Sequence, residues 1–111
     1  MDPERARALL SAERQRLERA LAYRRRQDDA EEADEYDPAN LAAGLYQDEL
    51  NEGLTDDLRR QLEALERAEQ RLADGTYGLS IESGRPIPDE RLEALPTAEL
   101  TAEEERARSK R

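Results

Sequence analysis

At 111 residues without cysteine or histidine, the chain has room for one domain and lacks the parts for disulfides, thiolate metal sites and most general-base mechanisms. A formal net charge of −10 disfavours direct contact with phosphate backbones and anionic membranes, and points to a basic surface on another protein. Charged residues make up 41%, hydrophobic residues 36% and aromatics 4%, so the core must be a thin seam between exposed helices.

Asp2-Pro3 opens the first element: a side-chain oxygen that caps free amides, then a ring whose fixed φ suits the first helical position. From Ala6 the apolar positions run through Leu9, Leu10, Leu17, Ala20 and Leu21, a narrow stripe at helical spacing among Arg and Glu. Arg24 to Arg26 follow, and then Asp28, Asp29, Glu31, Glu32, Asp34, Glu35 and Asp37 form an acidic run with no apolar face. The first helix is therefore expected to fray in that run, whose simplest reading is a solvated connection.

Asp37-Pro38 repeats the opening signal, and a second long helix is expected from Ala39. Its seam takes in Ala42, Leu45, Leu54, Leu58, Leu62, Leu65, Ala68 and Leu72, with Leu58, Leu65 and Leu72 seven apart. Gly44 and Gly53 soften the stretch between them, each at a cost of about 1 kcal/mol against alanine. Gly75 stops the helix. Neither helix buries its stripe alone, so the two fold back antiparallel, each arm roughly 40 to 55 Å long.

The organisation expected is mainly α. Residues 1–75 form a long antiparallel helical hairpin, a coiled coil with an acidic tip near 28–42; 76–104 form a small C-terminal module; 105–111 form a charged tail. No stretch approaches the roughly 18 consecutive apolar residues of a membrane span, and the first ten residues have no apolar signal region. A cytoplasmic protein is the expectation. An enzyme built on paired carboxylates such as Glu31 and Asp34 is disfavoured, because a soft connection offers no pocket to tune them.

Past Gly75 the chain changes to compact turn chemistry. Thr76-Tyr77-Gly78-Leu79-Ser80-Ile81-Glu82-Ser83-Gly84-Arg85-Pro86-Ile87-Pro88 is followed by Arg91-Leu92-Glu93-Ala94-Leu95-Pro96-Thr97-Ala98. These motifs closely resemble the DksA/TraR family of bacterial transcription regulators. The family pattern is G-x-Y-G-x-C-x-x-C-G-x-x-I-P, then R-L-x-A-x-P-x-A-x-x-C-x-x-C, and its four cysteines hold a zinc ion in a ribbon at the base of a helical hairpin. Here those positions are Ser80, Ser83, Thr101 and Glu104, separated by two, seventeen and two residues, so the ligand spacing is kept without the ligands. Three hydroxyls and one carboxylate make a poor zinc site, and the resemblance is to a degenerate zinc-finger-like module in which no zinc is expected. Without a partner, those four residues read as a network of turn hydrogen bonds.

The resemblance further implies a tip of form D-x-x-D-x-A that enters the secondary channel of RNA polymerase. Asp37, Asn40 and Ala42 stand at that spacing, with an amide in place of the second acid. Asp37 also reads as a plain helix cap. The implied function is regulation of transcription initiation, of stringent-response type, through RNA polymerase and without direct contact to DNA, by a monomer. ppGpp is a candidate co-regulator at the polymerase interface. Arg91 is a candidate contact to the partner or to ppGpp, beside the simpler reading of a salt bridge to a nearby carboxylate. The alternative is a structural or adaptor coiled coil that has lost polymerase regulation, which the amide at Asn40 favours.

Overall fold

A computed structural model describes residues 1–33 and 38–110, with side chains described for 1–27 and 53–110. Four helices follow in order: α1 (Pro3–Ala33), α2 (Pro38–Asp74), α3 (Asp89–Ala94) and α4 (Ala102–Ser109). α1 and α2 form an antiparallel hairpin and the short helices belong to the C-terminal module. No strand occurs among the described residues, and the only β feature there is an isolated antiparallel bridge between Leu79 and Pro86.

Both helix starts fall on the prolines. α1 opens at Pro3 with the Ala6 amide donating to the Asp2 carbonyl at 3.0 Å, and α2 opens at Pro38. α1 does not fray at the onset of the acidic run; its backbone stays helical to Ala33. Glu and Ala are good helix formers, and continuing a helix once started costs far less than nucleating one, so the backbone outruns the apolar stripe. α2 ends at Asp74, where Gly75 takes φ 79° and its amide donates to the Leu72 carbonyl at 3.3 Å. Only glycine adopts that conformation without strain.

The chain divides into two compact units, Gln15–Leu62 and the remainder, Met1–Arg14 with Glu63–Arg111. In the first of these, Leu17 is fully buried and the Arg16 guanidinium donates to Gln61 Oε1 at 2.9 Å across the hairpin. Leu54, assigned to the seam by its spacing, is instead 47% exposed. Between Leu21 and Gln27, the end of α1 whose side chains are described, α1 offers no aliphatic larger than alanine, so little apolar surface is available there to cover Leu54.

In the other unit the hairpin seam is Ala6 and Leu10 from α1 with Leu65 and Ala68 from α2, all buried. Arg14 pairs with Glu69 at 2.5 Å on its flank. The C-terminal module has its own small core of Ile87, Leu92 and Ala98, against which Met1 and Tyr77 pack. Burial raises the Tyr77 phenol above its usual range, with Arg71 opposing that rise. The Tyr77 hydroxyl donates to the Pro96 carbonyl at 2.8 Å. α3 stops at Ala94 because Leu95, at φ −138° and ψ 87°, must be extended before Pro96. Arg5 from α1 holds Glu93 of α3 through two parallel hydrogen bonds of 2.8 and 2.6 Å. That fork lowers the Glu93 carboxyl and raises the Arg5 guanidinium.

Candidate functional site

The turn that begins the module is closed by backbone bonds on both sides. The Ser80 amide donates to the Arg85 carbonyl at 2.8 Å and the Ile87 amide to the Gly78 carbonyl at 2.7 Å. The Gly84 amide reaches back to the Ser80 carbonyl at 3.0 Å. Gly84 takes φ 72° to make that return. Ser80 is buried, and its hydroxyl oxygen accepts from the amides of Glu82 at 3.1 Å and Ser83 at 3.3 Å. Ser83 does the same for the Arg85 amide at 3.3 Å. These are the side-chain to backbone bonds by which serine stabilises tight turns.

α4 supplies the other half of the site. Thr101 is its N-cap, with a side-chain oxygen that accepts from the Glu104 amide at 3.2 Å. Glu104 Oε1 accepts in return from the Thr101 amide at 3.0 Å, completing a capping box. The second carboxylate oxygen, Oε2, accepts from the Ser80 hydroxyl at 2.9 Å. The four positions of the spacing Ser80, Ser83, Thr101 and Glu104 are thus brought together, and the carboxylate is their hub.

The electrostatics follow from that geometry. The Thr101 backbone amide first, then the Ser80 hydroxyl, lower the Glu104 carboxyl to about 2; partial burial opposes them, and the Thr101 and Ser83 side chains add to the lowering. A carboxylate with several donors aimed at it stays ionised far below its ordinary range. Around the hub, Arg108 of α4 holds Glu82 of the turn at 2.6 Å, and the Ile81 amide donates to the Glu99 carbonyl at 2.9 Å. The turn is therefore stitched to α4 at the hub and by Arg108, and to the segment just before α4 by the Ile81–Glu99 backbone bond.

Arg91 lies on α3, with its Nε donating to the Leu100 carbonyl at 2.9 Å and its Nη2 paired with Glu105. Its Nε and Nη2 are thus engaged within the module, the latter in the salt bridge to a nearby carboxylate that the simpler reading of Arg91 expects. With Ile81, Leu95 and Arg108 it lines a cleft of about 240 Å³, below the roughly 300 Å³ at which ligand pockets begin. The three tip positions are placed differently. Asp37 lies outside the described residues; Asn40 and Ala42 fall within α2, but their side chains lie outside the described ones.

Two elements of this site were not anticipated from sequence. Glu104 was read as one of four members of a turn network at lost cysteine positions and not as its hub, although Thr101-Ala102-Glu103-Glu104 spells a capping box before a helix. Arg71 carries a guanidinium whose Nε and Nη2 are buried without a hydrogen-bond partner while Nη1 lies 3.9 Å from Glu99, and no local pattern marks it.

No family model matches the chain. The uncharacterized protein YteA of Bacillus subtilis is 42% identical over 66 residues, covering 60% of this chain and 28% of that protein. General stress protein 16O of the same organism is 51% identical over 45 residues, 40% of this chain and 28% of that protein. The RNA polymerase-binding transcription factor DksA of Caulobacter vibrioides is 38% identical over 53 residues, 48% of this chain and 37% of that protein. The chain thus spans well under two thirds of the length of these relatives. Among solved structures, transcription factor DksA2 from Pseudomonas aeruginosa matches with a TM-score of 0.83 at 29% identity, covering 97% of this chain and 83% of that one.

The zinc that the family pattern implies does not fit the residues present. Zinc asks for thiolates or imidazoles at such a site, and the chain has neither cysteine nor histidine. The oxygens at the four positions are already committed to each other and to backbone amides. Among the described residues, no group of three or more acids is placed to hold a metal. Nor is any helix there long and apolar enough to cross a membrane. The likeness to DksA2 over nearly the whole chain, the part-length similarity to DksA relatives and the intact spacing of the C-terminal motif together make this a DksA-like chain, without the cysteines of the zinc-binding pattern.

Proposed function

We propose that this chain is a transcription regulator of DksA type that binds RNA polymerase through its secondary channel and modulates initiation without contacting DNA. The observation that carries this reading is the structural likeness to transcription factor DksA2 across 97% of the chain. The name of the Caulobacter relatives, RNA polymerase-binding transcription factor, supports RNA polymerase as the partner. A net charge of −10 suits a basic channel mouth and opposes a DNA-binding alternative.

On this reading the hairpin carries Asp37, Asn40 and Ala42 toward the catalytic centre of the polymerase, and the clamped module supports its base. Occupancy of the channel shifts the lifetime of promoter complexes, an allosteric effect that needs no chemistry from this chain. ppGpp is a candidate co-regulator at the shared interface. The protein works as a cytoplasmic monomer and needs no metal.

Transcription in vitro with purified polymerase tests this directly. The parent should change the yield from sensitive promoters, whereas Asp37→Asn or Ala42→Trp should abolish the change while leaving helicity intact. If both variants regulate as well as the parent, the tip mechanism is wrong. If the parent has no effect and does not bind, the adaptor reading replaces it.

A further inference from the structure

The residues at the four former ligand positions do more than fill space. In a ribbon of this spacing the two halves of the site, a turn and the start of a helix, are distant in sequence and need a cross-link. Seventeen residues separate Ser83 from Thr101, so local turn bonds cannot join them. Between the former ligand positions themselves, the two halves are joined by the 2.9 Å hydrogen bond from the Ser80 hydroxyl to Glu104 Oε2. The same carboxylate accepts from the Thr101 amide at 3.0 Å, and the hydroxyl that donates to it also gathers the amides of Glu82 and Ser83.

We infer that the Glu104 carboxylate is the cross-link of this module: it occupies the place in the fold where a metal would otherwise be needed, and ties the Ser80–Arg85 turn to the start of α4 through hydroxyls at the other positions of the spacing. Each donor suits that task. A hydroxyl both donates to the carboxylate and accepts from amides, which a thiolate bound to a metal does through metal and sulfur together. A carboxylate offers two oxygens, one for each half of the site. Ser80 is 5% exposed, so its bond to Glu104 is shielded from competing water. The flanking pair from the same two elements, Glu82 with Arg108, adds a contact but is substantially exposed, where such pairs contribute little; Arg91 with Glu105 ties α3, not the turn, to α4.

Glu104 is thus a positioning residue, and its removal should loosen two segments that are far apart in sequence. Amide hydrogen exchange of the full chain, followed by NMR in the parent, Glu104→Gln and Glu104→Ala, reads this residue by residue. Exchange at the Thr101, Glu82 and Ser83 amides should accelerate by about tenfold or more in Glu104→Ala, the scale set by losing a charge-assisted hydrogen bond. Glu104→Gln, which keeps the shape and one acceptor oxygen, should fall between the two, and it decides the matter if the alanine variant unfolds. Adding Ser80→Ala to Glu104→Ala should change the Thr101 rate by less than about twofold, since the two residues act as one unit. Rates within twofold of the parent in both single variants would overturn the inference. So would a shift of several degrees in the parent's melting temperature on adding one equivalent of Zn²⁺ or an excess of EDTA.

Discussion

Leu92→Ala is the sharpest probe of how the C-terminal module stands up. Leu92 is fully buried and sits between Ile87 and Ala98, with Met1 and Tyr77 packed over the same cluster. Trimming it to alanine removes three carbons from the centre of this small core. Leu→Ala substitutions at buried sites cost about 2 to 5 kcal/mol, and the low end applies where the surroundings collapse into the space. Met1 and Tyr77 are only partly buried and free to shift inward, so about 2 to 3 kcal/mol is expected here. With a urea dependence of about 1.5 kcal/mol per molar, the unfolding midpoint should fall by between about 1 and 2 M. Leu54→Ala is the matched control, since Leu54 is 47% exposed, and it should cost no more than about 0.5 kcal/mol. Urea titrations of both variants, followed by tyrosine fluorescence and far-ultraviolet circular dichroism, make the comparison. Equal midpoints for the two would refute the claim that packing around Leu92 supports the module.

Other consequences follow from the same geometry. The Glu104 carboxyl sits at about 2 in the folded chain against 4.5 when free, so its contribution is present above about pH 4.5 and is lost as the pH falls toward 2. Acid unfolding followed by circular dichroism should show this, and Glu104→Gln should flatten the profile between pH 4.5 and 2; an unchanged profile would contradict the assignment. Gly78→Ala forces φ 83° on a residue with a Cβ and brings that atom to 3.4 Å from Leu92 Cδ1. It should lower stability by about 1 to 2 kcal/mol in urea titrations, and a neutral result would show that the turn relaxes freely. Thr101→Ala removes the α4 cap and should cost about 1 kcal/mol, with faster amide exchange at Glu104 as its local signature.

Local rules of the backbone were the most legible part of this sequence. Proline at Pro3 and Pro38 and glycine at Gly75 mark helix ends because each restricts or frees φ at its own position, whatever the rest of the chain does. The seam was legible where both helices supply aliphatics, as at Leu10 and Leu65. It failed at Leu54, because burial there depends on what the other helix offers and α1 offers arginines. Helix propagation to Ala33 was missed for a related reason: apolar spacing reports packing, whereas glutamate and alanine sustain a helix on backbone preference alone.

The candidate site was legible in its spacing and hidden in its chemistry. Ser80, Ser83, Thr101 and Glu104 were singled out together by the resemblance to the family's cysteine pattern, whose intervals they keep, and they do meet. That Glu104 would be the hub could not come from spacing alone, because it depends on a fold that aims one helix start at one turn. The capping-box pattern nevertheless fixes the orientation of the Glu104 side chain toward the Thr101 amide, and this half of the answer was there to be read. For Arg91 the simpler of the two readings, a salt bridge to a nearby carboxylate, is the one the structure displays, through Glu105, with Leu100 accepting from its Nε.

Direct binding to RNA polymerase tests the account most plainly. Purified chain mixed with core polymerase and passed over a sizing column should comigrate with the enzyme at stoichiometry near one, and binding should weaken as salt screens the acidic hairpin. A chain that elutes wholly apart from polymerase at low salt, with its helices intact by circular dichroism, would contradict the proposed function.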